Sequence, residues 1–116
     1  MPRTEPFEQH PDRYDQWFER HPHVFAAEVR ALRSLMPRDG RGLEIGVGTG
    51  RFAERLGIGK GVDPSPVMRR RGRERGINVR EGVAEDLPYA DGQFEVAVLV
   101  TTICFVDDVE TSLAEA

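Results

Sequence analysis

A heptapeptide, Glu44-Ile45-Gly46-Val47-Gly48-Thr49-Gly50, constrains this chain more than any other stretch. It stands between a short predicted strand, Gly42-Leu43-Glu44-Ile45-Gly46, and a predicted helix from about Gly50 to Leu56 that carries Phe52 and Leu56 on one face. Glycines at such a junction permit positive φ and let the backbone approach a ligand with no Cβ in the way. The helix N-terminus adds free amides suited to an anionic group. A dinucleotide site wants glycine at the first, third and sixth positions. Counted from Gly46, the third position is Gly48, but the sixth is Arg51, and the last glycine sits one place early at Gly50. The spacing disfavours a nicotinamide or flavin dinucleotide and suits a ligand without a pyrophosphate. Plain turn glycines are the alternative reading.

The text around the loop alternates strand and helix. Residues Met1 to Pro11 carry three prolines and read as an arm. Asp12 to Phe18 is aromatic-rich and predicts a short helix. Pro22 to Met36 predicts a longer one, with Phe25, Val29, Leu32 and Met36 on one stripe. Beyond the loop, Lys60-Gly61-Val62-Asp63 reads as a second strand, Pro64 to Arg75 as a helix, and Ile77 to Arg80 as a third strand. Gly82 to Gly92 is a loop. Phe94 to Val100 is a nearly continuous apolar run, as expected of a strand buried on both faces. A last helix begins near Asp107 or Asp108, either of which suits a cap. This alternation predicts a parallel α/β sheet with helices on both faces.

Asp63 ends the second strand about 20 residues after the glycine loop begins, where an acid grips ribose hydroxyls. A carboxylate accepts from both hydroxyls at once and repels a 2′-phosphate. Helix capping before Pro64 is the plainer role for the same residue.

Four segments in order carry a family resemblance: Glu44-x-Gly46-x-Gly48-x-Gly50, Val62-Asp63-Pro64-Ser65, Ala84-Glu85-Asp86-Leu87-Pro88, and Asp91-x-x-Phe94-Glu95-Val96-Ala97-Val98. From Gly42 to Ala116 the chain resembles the class I S-adenosylmethionine-dependent methyltransferases, in their type 11, ubiquinone-biosynthesis-like small-molecule branch. The resemblance implies a Rossmann-like three-layer α/β sandwich with four parallel strands in order 3-2-1-4. Residues 12–37 form its amino-terminal helical cap and 42–116 its cofactor-binding half. It implies S-adenosylmethionine as cofactor and methyl transfer to a small-molecule acceptor.

The resemblance also distributes roles. Glu44 and the loop Gly46, Val47, Gly48, Thr49 and Gly50 would hold the methionine part. Asp63 would take the ribose, with Pro64, Ser65 and Met68 near ribose or adenine. Ala84, Glu85 and Asp86 would meet the adenine edge, and Leu87 would pack on the ring. Val100 and Thr101 would reach the methyl-transfer region. Thr102, Ile103 and Phe105 would face the acceptor, although Thr101 to Phe105 departs from the polar or histidine-containing text of many relatives. Tyr14, Trp17 and Phe18 resemble the amino-terminal cap, as core packing or as a lid. His23, Tyr14 and Glu85 are available as bases, with no motif behind any of them.

Composition narrows the alternatives. A net charge of −4 argues against an electrostatically driven nucleic-acid binder, so the arginines at 69, 70, 71, 73 and 75 are read as a solvated helix face. The single cysteine, Cys104, excludes an internal disulfide and reads as a small buried residue in a reducing compartment. His21-Pro22-His23 lacks a second ligand cluster and reads as structural, so no metal is expected. No apolar run reaches a membrane span, and the first residues lack a signal-peptide core. A cytoplasmic location is expected. A six- or seven-stranded domain needs about 180 residues at roughly 30 per βαβ unit, whereas this chain of 116 residues supplies four strands. It therefore reads as the amino-terminal half of such an enzyme, with the fourth strand an uncovered apolar edge. Pairing of two copies through that edge or the terminal helix is the corresponding expectation. An adenosyl-ligand-binding fragment without turnover, and a nicotinamide-binding unit, are the alternatives.

Overall fold

A computed structural model describes residues 4–37, 41–100, 102 and 105–116, without the side chains of Pro6 and Phe7. Three helices come first: α1 (Glu5–Gln9), α2 (Pro11–Arg20) and α3 (Pro22–Leu35). There follow β1 (Gly42–Ile45), α4 (Arg51–Leu56), β2 (Lys60–Val62), α5 (Pro66–Glu74), β3 (Asn78–Arg80), β4 (Val96–Val98) and α6 (Val109–Glu115). β1, β2 and β4 are each followed by a helix, while β3 leads to β4 through a loop. The sheet has four strands in order β3-β2-β1-β4, all parallel. β1 is central, with Leu43 opposite Lys60 on one side and Ala97 on the other.

Side chains alternate across the strands. Leu43, Ile45, Val62 and Ala84 form one buried cluster, joined by Ala97 and Leu99. Val47, Ala53, Ile58, Ile77, Val79 and Val98 form the opposite one. The helical cap docks on α4 through a separate aromatic cluster. Phe18 and Phe25 each meet the Phe52 ring edge-on, at centroid distances of 5.3 and 5.0 Å. Edge-to-face rings suit the aromatic quadrupole and fix the cap's position on the sheet.

Three expectations change. Residues 5–9 of the expected arm form α1, which packs against α2 and α5. The helix expected from Pro64 starts at Pro66, because the Ser65 hydroxyl accepts from the Met68 amide at 3.3 Å and caps it. The strand expected over Phe94–Val100 is only three residues long, pairing with Gly42, Leu43 and Glu44 of β1. Val98 is buried and its two strand neighbours are half-buried. The longer apolar run still serves both layers, with Val96 and Val100 on one cluster and Ala97 and Leu99 on the other.

Asp108 is the cap of α6, accepting from the Thr111 amide at 3.1 Å. No described helix is long and apolar enough to cross a membrane.

Candidate functional site

The strand order reverses between β1 and β4, and the C-terminal ends of the strands open there into a crevice. In open α/β sheets this is where ligands bind. A cavity of about 240 Å³ occupies it. Its walls come from the glycine loop, the turn after β2, the segment Gly82–Glu85, the segment after β4, and Tyr14 of the cap.

The glycine loop contributes backbone. Gly46, Gly48 and Gly50 all have positive φ, at 73°, 57° and 81°. A Cβ on Gly48 would meet nothing within 4 Å, so the space it would fill belongs to the cavity. A Cβ on Gly46 would stand 2.5 Å from the Thr102 hydroxyl, so the missing side chain lets the segment after β4 close on the loop. Thr102 Oγ1 lies 3.2 Å from the carbonyls of both Ile45 and Val100, which fixes that segment to β1.

Asp63 is the most constrained ionisable group in the cavity. It is 7% exposed. Gly48 N donates to Oδ2 and Ser65 N to Oδ1, each at 2.9 Å. Both oxygens keep a free lone pair for a further donor. Burial pushes the Asp63 carboxyl above its ordinary value, while the two amides and the Arg69 charge pull the other way. Arg69 Nη1 also donates to the carbonyls of Asp63 and Pro64, at 3.0 and 2.9 Å, and so holds the turn from behind.

Glu44 lies outside the cavity wall. It is 2% exposed, and its Oε1 has no hydrogen-bond partner. Burial lifts its carboxyl to about 8, against the pull of the Ala53 amide and with a further push from Asp63. Tyr14 reaches the cavity and packs edge-on against Phe18 at 5.0 Å. Burial, followed by the Glu44 charge, pushes its phenol well above the ordinary tyrosine value, so it stays protonated at neutral pH. As a neutral phenol it cannot serve as a base. His23 is exposed on α3 and is absent from the cavity wall.

Of the residues singled out from the sequence, Gly46, Gly48, Asp63, Pro64, Met68, Ala84, Glu85, Val100, Thr102 and Phe105 share this cavity. Others do not reach it. Val47 packs over Gly61 in the core, and Gly50 caps α4. Thr49 is fully buried and donates to Asp15 at 2.8 Å. Ser65 acts through its amide and as a helix cap. Asp86 is exposed, and Leu87 packs in the cluster under the sheet. Glu85 spends one oxygen on the amides of Asp107 and Asp108, at 2.9 and 3.0 Å, which ties its loop to the start of α6. Its other oxygen, Oε1, is buried without a partner. Thr101, Ile103 and Cys104 lie outside the described residues. Sequence reasoning missed Thr4, Ile45, Val62, Gly82, Val83 and Val106 in the wall. At Gly82 a Cβ would press on Val62 and Pro88 at 3.0 Å, a close approach visible only in the fold.

The arginine run of α5 is less solvated than expected. Arg69 clasps the Asp63 turn, Arg73 donates twice to the Val79 carbonyl, and Arg71 pairs with Asp12 at 2.7 Å. Arg75 pairs with Asp15 and Glu54. The run stitches α5 to its neighbours. His21 joins α2 to α3, with Nδ1 2.7 Å from the Trp17 carbonyl. Among the described residues no cluster could hold a metal ion.

Comparison with known proteins agrees with this architecture. The family described as "Methyltransferase domain" matches residues 43–116. The chain is 50% identical, with a TM-score of 0.91, to a Thermotoga maritima SAM-dependent methyltransferase described as a possible histamine N-methyltransferase, over 95% of this chain and 53% of that one. It is 39% identical to an uncharacterized protein of Methanocaldococcus jannaschii, over 95% of this chain and 53% of the relative. A SAM-bound amino pentose methyltransferase from Micromonospora echinaspora shares the fold, with a TM-score of 0.60 at 23% identity over 78% of this chain and 41% of that one. The chain thus spans about half the length of the first two relatives.

Proposed function

The chain belongs to the methyltransferase-domain family, and from that premise we propose that it binds S-adenosylmethionine and forms the cofactor-holding part of an enzyme that methylates a small molecule. The observation that carries this reading is Asp63. Its buried carboxylate stands at the end of β2 in the crevice, locked by two amides with a lone pair left on each oxygen. That is the acceptor pair a ribose diol needs. The open space where Gly48 lacks a Cβ is a second point of fit, since it admits a ligand against bare backbone.

In this reading Asp63 holds the ribose hydroxyls, and Gly46 and Gly48 line the methionine part. Pro64 and Met68 flank the nucleoside, and Ala84 with the unpaired Glu85 Oε1 faces the adenine edge. Val100 lies toward the methyl-transfer end, with Thr102 and Phe105 toward the acceptor. Glu44, Val47, Thr49, Gly50 and Ser65 shape the loop and the turn from outside the wall. When bound, S-adenosylmethionine supplies an electrophilic methyl group on a sulfonium. The chain's own residues bind and orient; no side chain is asked to form a covalent bond.

A nicotinamide ligand is the poorer reading. Arg51, at the place of the third dinucleotide glycine, is engaged by Asp15 at 2.9 Å and by Glu19. Calorimetric titration with S-adenosylhomocysteine, with NADH as control, tests the proposal. Micromolar binding selective for the adenosyl ligand is expected. Selective binding of NADH would overturn it. Adenosyl binding without turnover on any acceptor would restrict the function to ligand binding.

A further inference from the structure

Tyr14 is the one ionisable group that the helical cap puts into the cavity. Its place is set from two sides. On the apolar side it lies one helical turn before Phe18 and packs edge-on against it, in the aromatic cluster that docks the cap. On the other side is its chain neighbour. Successive residues of a helix diverge by about 100°, so Asp15 leaves α2 in a different direction from Tyr14 and meets the sheet domain instead. Asp15 Oδ1 accepts from Thr49 Oγ1 at 2.8 Å and from Arg51 Nε at 2.9 Å, and Oδ2 accepts from Arg75 Nη2 at 3.3 Å. These three donors come from the glycine loop, the first residue of α4 and the end of α5. One carboxylate thus joins the cap to three separate segments of the cofactor-binding half. The node is sheltered, with Asp15 17% and Arg51 14% exposed at their side chains. A sheltered bond network of this kind is geometrically stricter than a surface ion pair.

We infer that Asp15 is a positioning residue for the ligand site: through Thr49, Arg51 and Arg75 it fixes the first turn and a half of α2, and so holds Tyr14 in the cavity wall. The inference rests on the proposed adenosyl-ligand reading of the cavity. Asp15 is absent from the cavity wall, and the inference assigns its effect on affinity to Tyr14 rather than to its glycine-loop partner Thr49.

The test is a double-mutant cycle on the full 116-residue chain, read by calorimetry with S-adenosylhomocysteine. Asp15→Ala and Tyr14→Ala should each weaken binding by roughly fivefold or more, and the double variant should bind no worse than Tyr14→Ala alone. A merely structural role for Asp15 would instead cause a similar further loss in the Tyr14→Ala background, and that result overturns the inference. Asp15→Asn guards against a folding failure: it keeps the Thr49 bond, loses the ion pairs, and should fall between wild type and Asp15→Ala. The fluorescence of Trp17, the single tryptophan, which lies on the same helix, gives a second readout. Ligand should change it in the wild type and much less in Asp15→Ala. Wild-type binding with unchanged affinity in Asp15→Ala overturns this inference alone. No binding by the folded wild-type chain overturns the functional reading, and this inference with it.

Discussion

The Gly48 amide donates to Asp63 Oδ2 across 2.9 Å, so the glycine loop and the acid after β2 are one hydrogen-bonded unit. Replacing the acid therefore damages loop and ligand site together. Asp63→Ala leaves the Gly48 and Ser65 amides without their acceptor, and should cost about 1–3 kcal/mol of stability in urea unfolding. Affinity for S-adenosylhomocysteine should fall by a similar ~1–3 kcal/mol, as for other bonds to a charged group. Asp63→Asn presents a donor to one of the two amides and should not rescue either property. Unchanged affinity in both variants would place the ribose elsewhere.

Two glycine substitutions should separate binding from folding. Gly48 has φ 57° and open space where a Cβ would go, so Gly48→Val puts its methyls into the cavity. It should lose ligand binding and pay only the left-handed backbone cost of about 1–2 kcal/mol. Gly61 lies in β2, and a Cβ there would stand 2.6 Å from that of Val47. Gly61→Ala should destabilise by about 1–3 kcal/mol or more through overpacking. Thermal unfolding and calorimetry on both variants check the contrast.

Glu44 makes stability depend on pH from the alkaline side. Burial raises its carboxyl to about 8 in the folded chain, against about 4.3 unfolded. The folded state holds the proton more tightly, so this group's contribution falls as pH rises between those values and levels off above the upper one. Glu44→Gln removes the dependence. Its stability relative to wild type should improve between about pH 5 and about pH 9 in denaturant unfolding; a constant difference would contradict the assignment.

Asp15 acts on the acid side. Burial alone would raise its carboxyl, but the bonds from Arg51 and Thr49 and the charges of Arg51 and Arg75 hold it below the ordinary aspartate value. Its stabilisation is complete above about pH 3.9, the unfolded value, and is lost as pH falls through the lower folded one. Asp15→Asn should be less stable than wild type at neutral pH, and the gap should close in strong acid. Unfolding curves across that range measure it.

Much of this was legible in the sequence because glycine and proline mark the joints of an α/β chain. Gly46, Gly48 and Gly50 located the first turn, and Asp63 the second, since both depend on backbone conformation and chain order alone. Side-chain direction was not legible. Nothing in the heptapeptide tells Thr49 to turn toward Asp15, a residue of the cap, or Val47 to cover Gly61. Glu85 and Asp86 read alike as loop acids, yet one holds the start of α6 and the other is exposed. The helix Glu5–Gln9 was hidden by Pro6 within it and by Pro2 and Pro11 on either side. The ladder at β4 ends at Val98, before its apolar run does, although β1 continues to Ile45. Tyr14 packs edge-on against Phe18 and also lines the cavity, a double placement its sequence position does not reveal.

The position of β1 also orders assembly in time. Its pairing with β2 spans one short helix, whereas its pairing with β4 waits on every segment between. Loop closure grows costlier with separation, and non-local pairings form late. The sheet should therefore grow outward from β1 through β2 to β3, with β4 docking last. Gly48 and Asp63 would meet while Val100, Thr102 and Phe105 are still unattached, so the Asp63 side of the crevice is built before the wall that follows β4.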